Sequence, residues 1–239
     1  MNLSMYLSFW IFAIAVYLQS RSSAIEPDIL SALWLQLAVE YGGCSGIFAG
    51  YVSELTIAFN TITNTSNGAV CVGYGWGGNN SMRANHIHHN LISRSNTVLV
   101  DCGSIYTLSR QADSEIAFNF IQDQQLLYGS LYHDARSSGF HTHHNVVSGG
   151  PMWLYLQQGL LGGVDDVLVE DNFHNQTIVG GCALPSLAAT CSCDPPAGVK
   201  VRYPCGNVTV ARNVLVDGGN WPAPARAIMA GAGKRVPAT

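Results

Sequence analysis

The sequence predicts an all-β fold, a right-handed parallel β-helix (a solenoid) with a short C-terminal capping helix, and three observations point to it. A six-residue phrase, apolar-x-x-Asn-x-apolar, returns around Asn60, Asn90, Asn119, Asn172 and Asn213, and more loosely around Asn145. The steps between these Asn are 30, 29, 26, 27 and 41 residues, the period of a coil rather than of a helix pair. A second phrase, of strand-forming residues, recurs between them, and no ten-residue stretch of helical periodicity separates the copies. Composition agrees, because 48% hydrophobic and 11% charged residues suit a solenoid with a continuous aliphatic bore.

Each repeated Asn suits a turn. It tolerates left-handed φ, and its amide can bond the Asn of the next coil at the strand spacing of about 4.8 Å. The flanking Ile and Val then point into the bore.

In chain order, residues 1–24 resemble a secretory signal: Leu3 to Leu18 are apolar apart from two Ser, and small residues lead to a cleavage site after Ala24. The run is shorter than the roughly 20 apolar residues of a spanning helix, so stable membrane insertion is not expected. The same stretch can also be read as standing in place of earlier coils. Sequons at Asn64, Asn79, Asn175 and Asn207 favour a secreted or extracellular-surface location. Residues 25–219 form the predicted β-helix, interrupted by a Cys- and Pro-rich loop at 180–206. Cys182, Cys191, Cys193 and Cys205 in that loop suit two disulfides, with a structural zinc as the rival reading. Cys44, Cys71 and Cys102 are expected as free, buried thiols, with Cys44 and Cys102 unbonded. Residues 220–239 are a cap and tail: Asn220 can start a helix, Pro222 and Pro224 suit its first turn, Gly231 suits its exit, and one face should close the end of the bore. Lys occurs only at Lys200 and Lys234 and the net charge is −4, which leaves no basic stripe for nucleic acid. A monomer is expected.

The strand phrases align on Ile47, Val70, Ile105, Leu131 and Leu154 as inward residues. Alternation then turns Phe48, Cys71, Tyr106, Tyr132 and Tyr155 outward. Such a Tyr column, beside Trp76 and Trp153, could stack sugar rings or could simply brace the sheet. Insertions at Gly73–Met82 and Leu108–Ser114 would open a cleft along the following edge.

Candidate chemistry follows from this register. Asp134 projects from the end of the fourth strand beside His133, and Asp101 precedes the third strand, so the two carboxylates could serve glycoside hydrolysis. A straight strand would part them by about 20 Å, and only a sharp turn at Asp101-Cys-Gly103 would join them. Arg110 and Arg136 each lie five residues after an inward reference. They could clamp an anionic sugar, with one as the base of a uronate lyase, or be solvated charges. The phrases His86-Ile-His-His89 and His141-Thr-His-His144 are read as surface residues stacked between coils rather than as metal ligands. No metal or cofactor is called for.

Val39-Glu-Tyr-Gly-Gly-Cys-Ser-Gly-Ile-Phe-Ala-Gly-Tyr51, Gly73-Tyr-Gly-Trp-Gly77, Asp101-Cys-Gly-Ser-Ile-Tyr-Thr-Leu108 and Leu131-Tyr-His-Asp-Ala-Arg-Ser-Ser138 occur in that order. Together they resemble pectin-lyase-like β-helix proteins of glycoside hydrolase family 141, from about Val39 through Pro222. The resemblance implies a secreted enzyme of plant or algal polysaccharide breakdown, acting on a polysaccharide or oligosaccharide. It places Asp101 and Asp134 on family Asp positions; the register, for its part, offers Tyr106, Tyr132, His133, Trp76, Arg110 and Arg136 as substrate contacts. Cys102, Ala135 and Tyr74 depart from the family phrases. Those departures, and the shortness of the chain beside family members, keep open a non-catalytic glycan-binding or cell-surface β-helix.

Overall fold

The computed structural model describes residues 45–76, 82–157, 163–176, 179–180 and 207–234. The expectations for the signal segment, Cys44, Asn79 and the four loop cysteines fall outside those residues. Within them the chain is a parallel β-solenoid of three six-stranded sheets, and each coil contributes one strand to each sheet in turn.

The first sheet holds β1 (Ile47–Ala49), β4 (Val70–Val72), β7 (Ile105–Thr107), β10 (Gly129–His133), β13 (Met152–Leu156) and β16 (Val179–Gly180). The second holds β2 (Thr56–Ala58), β5 (His86–His88), β8 (Arg110–Ala117), β11 (Ser138–His143), β14 (Asp165–Glu170) and β17 (Val208–Ala211). The third holds β3 (Thr61–Thr63), β6 (Leu91–Ser93), β9 (Phe120–Gln122), β12 (Val146–Ser148), β15 (Phe173–His174) and β18 (Val214–Leu215). Ile47, Val70, Ile105, Leu131 and Leu154 pair in one register, as the strand phrases require. They meet Ile57, Ile87 and Ile116 of the second sheet and Ile62, Ile92 and Ile121 of the third in one buried core.

The ladder Asn form one column at the corner between the second and third sheets. Asn60, Asn90, Asn119, Asn145 and Asn172 each donate Nδ2–H at 2.9 Å to Oδ1 of the Asn one coil on, ending at Asn213. The same Oδ1 accepts the backbone N–H of the preceding Asn, so each amide closes two bonds across one rung.

The left-handed residue at this corner is not the Asn but the one before it. Phe59, His89, Phe118, His144, Asp171 and Arg212 have φ of 59°, 55°, 55°, 51°, 55° and 54°. For L-residues this conformation costs roughly 1–2 kcal/mol each, which the buried amide ladder offsets. Outside the corner the rings of Phe59, His89, Phe118 and His144 stack in sequence, with centroids 5.0, 5.2 and 5.2 Å apart. The Asp171–Arg212 ion pair lies on the next two coils.

The C-terminal helix α1 (Ala223–Gly231) is present, but it does not close the end of the bore. It lies along the outer flank of the third sheet. There Ala225, Ile228 and Met229, with Trp221 before it, pack on Leu91, Phe120, Val146 and Phe173. Those four are the residues just after successive ladder Asn, an apolar outward column that must be covered. Nine helical residues rise about 13 Å, close to three rungs of about 4.8 Å, so the helix fits that column in length. Its first cap is Pro222, without a side-chain bond, rather than Asn220. The exit is made by Gly233 at φ 71°, whose N–H bonds His89 O, rather than by Gly231. Among the described residues no helix is long and apolar enough to cross a membrane.

Candidate active site on the first sheet

The outer face of the first sheet carries the aligned column Phe48, Cys71, Tyr106, Tyr132 and Tyr155. Two carboxylates frame its middle, one at each strand edge. Asp101 is exposed at the corner before β7, and Asp134 is nearly buried at the exit of β10. They are cross-linked through the neighbouring coil. The Tyr106 hydroxyl donates to Asp134 Oδ2, and the Tyr132 hydroxyl reaches toward Asp101 Oδ1 at 3.4 Å. The two rings meet edge to face with centroids 5.1 Å apart.

The turn needed to bring Asp101 back over the sheet is present. Asp101 itself adopts φ 64°, and Asn96 Nδ2 holds the carbonyl of Cys102 at 2.6 Å. A bulky residue could not follow at Gly103, where a β-carbon would meet Gly129 O and Tyr132 Cβ at 2.7 Å. The turn thereby brings Asp101 into electrostatic reach of Asp134.

The electrostatics are those of crowded negative charge. Partial burial raises the Asp101 carboxyl, the Asp134 charge raises it further, and the contact from Tyr132 opposes both. Burial, together with both carboxylates, pushes the Tyr106 and Tyr132 hydroxyls well above the usual phenol range, so they remain protonated donors. No Lys or Arg is among the groups that set these shifts.

The other expected contacts divide. Tyr132 is buried rather than open for stacking, because Tyr128 covers it with a parallel ring at 5.3 Å and Tyr155 abuts it at 4.6 Å. Tyr106 and Tyr155 stay half-exposed. Tyr128 was not foreseen. It sits at φ 78°, on the coil-equivalent of Cys102 three residues before its inward reference, and the Gly129 that follows was the available signal. Trp153 is also buried, stacked on His174 at 4.3 Å, and does not join the outer face. Trp76 is exposed, within an aromatic group of Phe48, Tyr51 and Tyr74 toward the first coils.

His133 cannot touch a substrate on this face, because it points into the bore and is fully buried. Thr107 Oγ1 lies 2.8 Å from its Nδ1 and Thr142 Oγ1 lies 3.0 Å from its Nε2; burial pushes its pKa down to about 3. Arg110 and Arg136 are exposed but not in register. Arg110 pairs with Ser138, and three residues, Gln111 to Asp113, stand opposite the single Gly139 in a bulge. Arg136 occupies a left-handed turn at φ 58°. Leu108–Ser114 is accordingly not an inserted loop; β8 begins at Arg110.

The His-rich phrases lie on the second sheet. His86 and His143 flank Glu115 at 3.4 and 2.7 Å, His141 bonds Glu170 at 3.1 Å, and Arg212 also pairs with Glu170 at 2.7 Å. They are stacked, paired surface residues, as the repeat suggested.

No known family's sequence profile matches the chain, and no curated protein matches it. Among solved structures, a protein described as a glycoside hydrolase is similar at 24% identity and a TM-score of 0.44. The match covers 62% of this chain and 24% of that one, so the chain spans about a quarter of that protein's length.

Proposed function

We propose that the outer face of the first sheet is the active site of a secreted glycoside hydrolase acting on plant or algal polysaccharide. One observation carries the reading: Asp101 and Asp134 face one tyrosine-framed surface, Asp134 buried against the Tyr106 hydroxyl and Asp101 at the more open corner, where the Asp134 charge acts on it. Glycosidases divide the roles of acid and of base or nucleophile between two carboxyl groups set in different surroundings. Asp101, raised by burial and by the neighbouring charge, is the general acid that protonates the leaving oxygen. Asp134, fixed by the Tyr106 hydroxyl, is the carboxylate that attacks the anomeric carbon or activates a water. Tyr106 and Tyr155 offer half-exposed ring area to a sugar, and Trp76 extends that surface toward the first coils.

The resemblance of the Asp101–Leu108 and Leu131–Ser138 phrases to glycoside hydrolase family 141 supports the same assignment. A uronate lyase is not proposed, because the register separates the arginines on which it depended. The second reading is a glycan-binding β-helix, favoured by the exposed aromatic group of Phe48, Tyr51, Tyr74 and Trp76, which offers ring surface away from the two carboxylates.

Reducing-sugar release from a panel of plant and algal polysaccharides separates the two. Release that disappears in both Asp101→Asn and Asp134→Asn establishes the hydrolase. Retarded migration of the protein through polysaccharide gels, with no release, establishes the binding module.

A further inference from the structure

Two thiols lie beside the site and have no part in it. Cys71, on the outer face of β4, and Cys102, at the corner next to Asp101, face each other with Sγ atoms 3.3 Å apart. Both are buried at 4% exposure, and both are free. The chain makes room for them: a β-carbon on Gly68 would stand 2.4 Å from Cys102 Sγ and 2.8 Å from Cys71 Sγ. Ser45 Oγ touches Cys71 Sγ at 3.0 Å from the other side.

We propose that Cys71 and Cys102 form a reversible peroxide-driven disulfide between adjacent coils, clipping the Asp101 corner to β4. The sulfurs need approach by only about 1.3 Å to reach a bond of roughly 2.05 Å. Chemistry assigns the order. Ser45 Oγ, 3.0 Å from Cys71 Sγ, can donate a hydrogen bond to a thiolate there, and the Cys71 thiol is lowered by its sulfur and hydroxyl contacts against burial. Cys71 is therefore the attacking thiolate. Its sulfur takes one oxygen of hydrogen peroxide as the O–O bond breaks, giving a sulfenic acid, and the departing hydroxide takes a proton to become water. Cys102 then loses its proton and attacks Cys71 Sγ. The S–O bond breaks, and the second oxygen leaves as water. Two thiols give up two electrons, and one peroxide becomes two waters.

The partners are 31 positions apart, so the bond closes a loop across one coil and should raise the melting temperature by about 5 °C or more. The linkage stands whether or not this face hydrolyses a sugar, so its test is independent of turnover.

The full chain is fully reduced, freed of reductant, treated with about one equivalent of hydrogen peroxide, and trapped by alkylation in denaturant before peptide mapping. We expect a Cys71–Cys102 cross-linked peptide, reversed by a phosphine, forming at least about tenfold faster in the folded chain than in urea, together with the rise in melting temperature. Peroxidation of Cys71 to the sulfinic acid without linkage, persistence of both free thiols, or equal yields folded and unfolded would each overturn the proposal.

Discussion

The outer faces of the first and second sheets are built on the same coils and the same rung spacing, yet they treat their carboxylates in opposite ways. On the second sheet Glu115 lies between His86 and His143, and Glu170 between His141 and Arg212. Despite partial burial, which works the other way, the histidines hold the Glu115 carboxyl below its ordinary range. On the first sheet Asp101 and Asp134 have tyrosine hydroxyls for partners and each other for electrostatic neighbours, and Asp101 is raised. Compensated charge is what a surface needs for solubility and stability. Uncompensated charge crowded beside like charge costs stability, and folds retain it where chemistry uses it. The contrast, rather than the presence of carboxylates, singles out the first sheet.

The sharpest way to break that contrast is to neutralise one carboxylate from each face. Asp134→Asn should lower turnover of any polysaccharide the wild type cleaves by about 10³-fold, near 4 kcal/mol in the activation barrier. Glu115→Gln should leave turnover within about twofold. Initial rates on the same substrate decide it, and equal losses would mean that the two faces do not differ in kind.

A loss common to both faces comes from the ladder on which the coils depend. Asn119→Ala removes the acceptor of both the backbone N–H and the Nδ2–H of Asn90. Leaving two buried donors unpaired should cost about 3 kcal/mol in urea unfolding, with ligand contacts unchanged in the molecules that remain folded.

Tyr106→Phe takes away only the hydroxyl that fixes Asp134. A hydrogen bond to a charged group is worth roughly 1.5–3 kcal/mol, so turnover should fall about 10- to 100-fold and the melting temperature should drop by several degrees. A loss as large as that of Asp134→Asn would make Tyr106 itself the proton donor.

How much of this was legible in the sequence depends on what each feature rests upon. The Asn column and the register of the first sheet could be read to the residue, because a period-2 strand and a ladder at fixed spacing admit one alignment. The left-handed residues could not be read, since Phe59, His89 and Phe118 are poor choices for that conformation until the Asn amide beside them is counted. Straight-strand arithmetic parted Asp101 from Asp134 because it carried the strand through a corner that Asp101 turns. His133 was placed outside by proximity to Asp134, although strict alternation from Leu131 already sent it inward. The arginine pairing failed at the turn before β11, where four residues, Asp134 to Ser137, stand in place of the two, Leu108 and Ser109, that precede β8. The seat of α1 was readable in Leu91, Phe120, Val146 and Phe173, each following a ladder Asn, but only to a reader asking what covers an apolar outward column.

The smallest predicted effects differ in sign, and that makes them the finest test of the contrast. Asp101 has a raised folded pKa, so between its ordinary value near 3.8 and that raised value the folded state binds more protons than the unfolded state. Stability therefore falls as pH rises through that window. Glu115 has a lowered folded pKa, so the unfolded state binds more protons below the ordinary value of 4.5, and the stability Glu115 provides is lost as pH falls through the lowered value. Asp101→Asn should thus stabilise the chain at pH 7, by less than about 1 kcal/mol because the group is partly exposed, and do nothing near pH 3. Glu115→Gln should destabilise it at pH 7 by a similarly small amount and do nothing near pH 2. Melting temperatures of the three proteins measured from pH 2 to pH 8 check both signs together. If Asp101→Asn lost stability at pH 7, the like-charge crowding on the first sheet would be absent, and the two faces would not differ in how they treat charge.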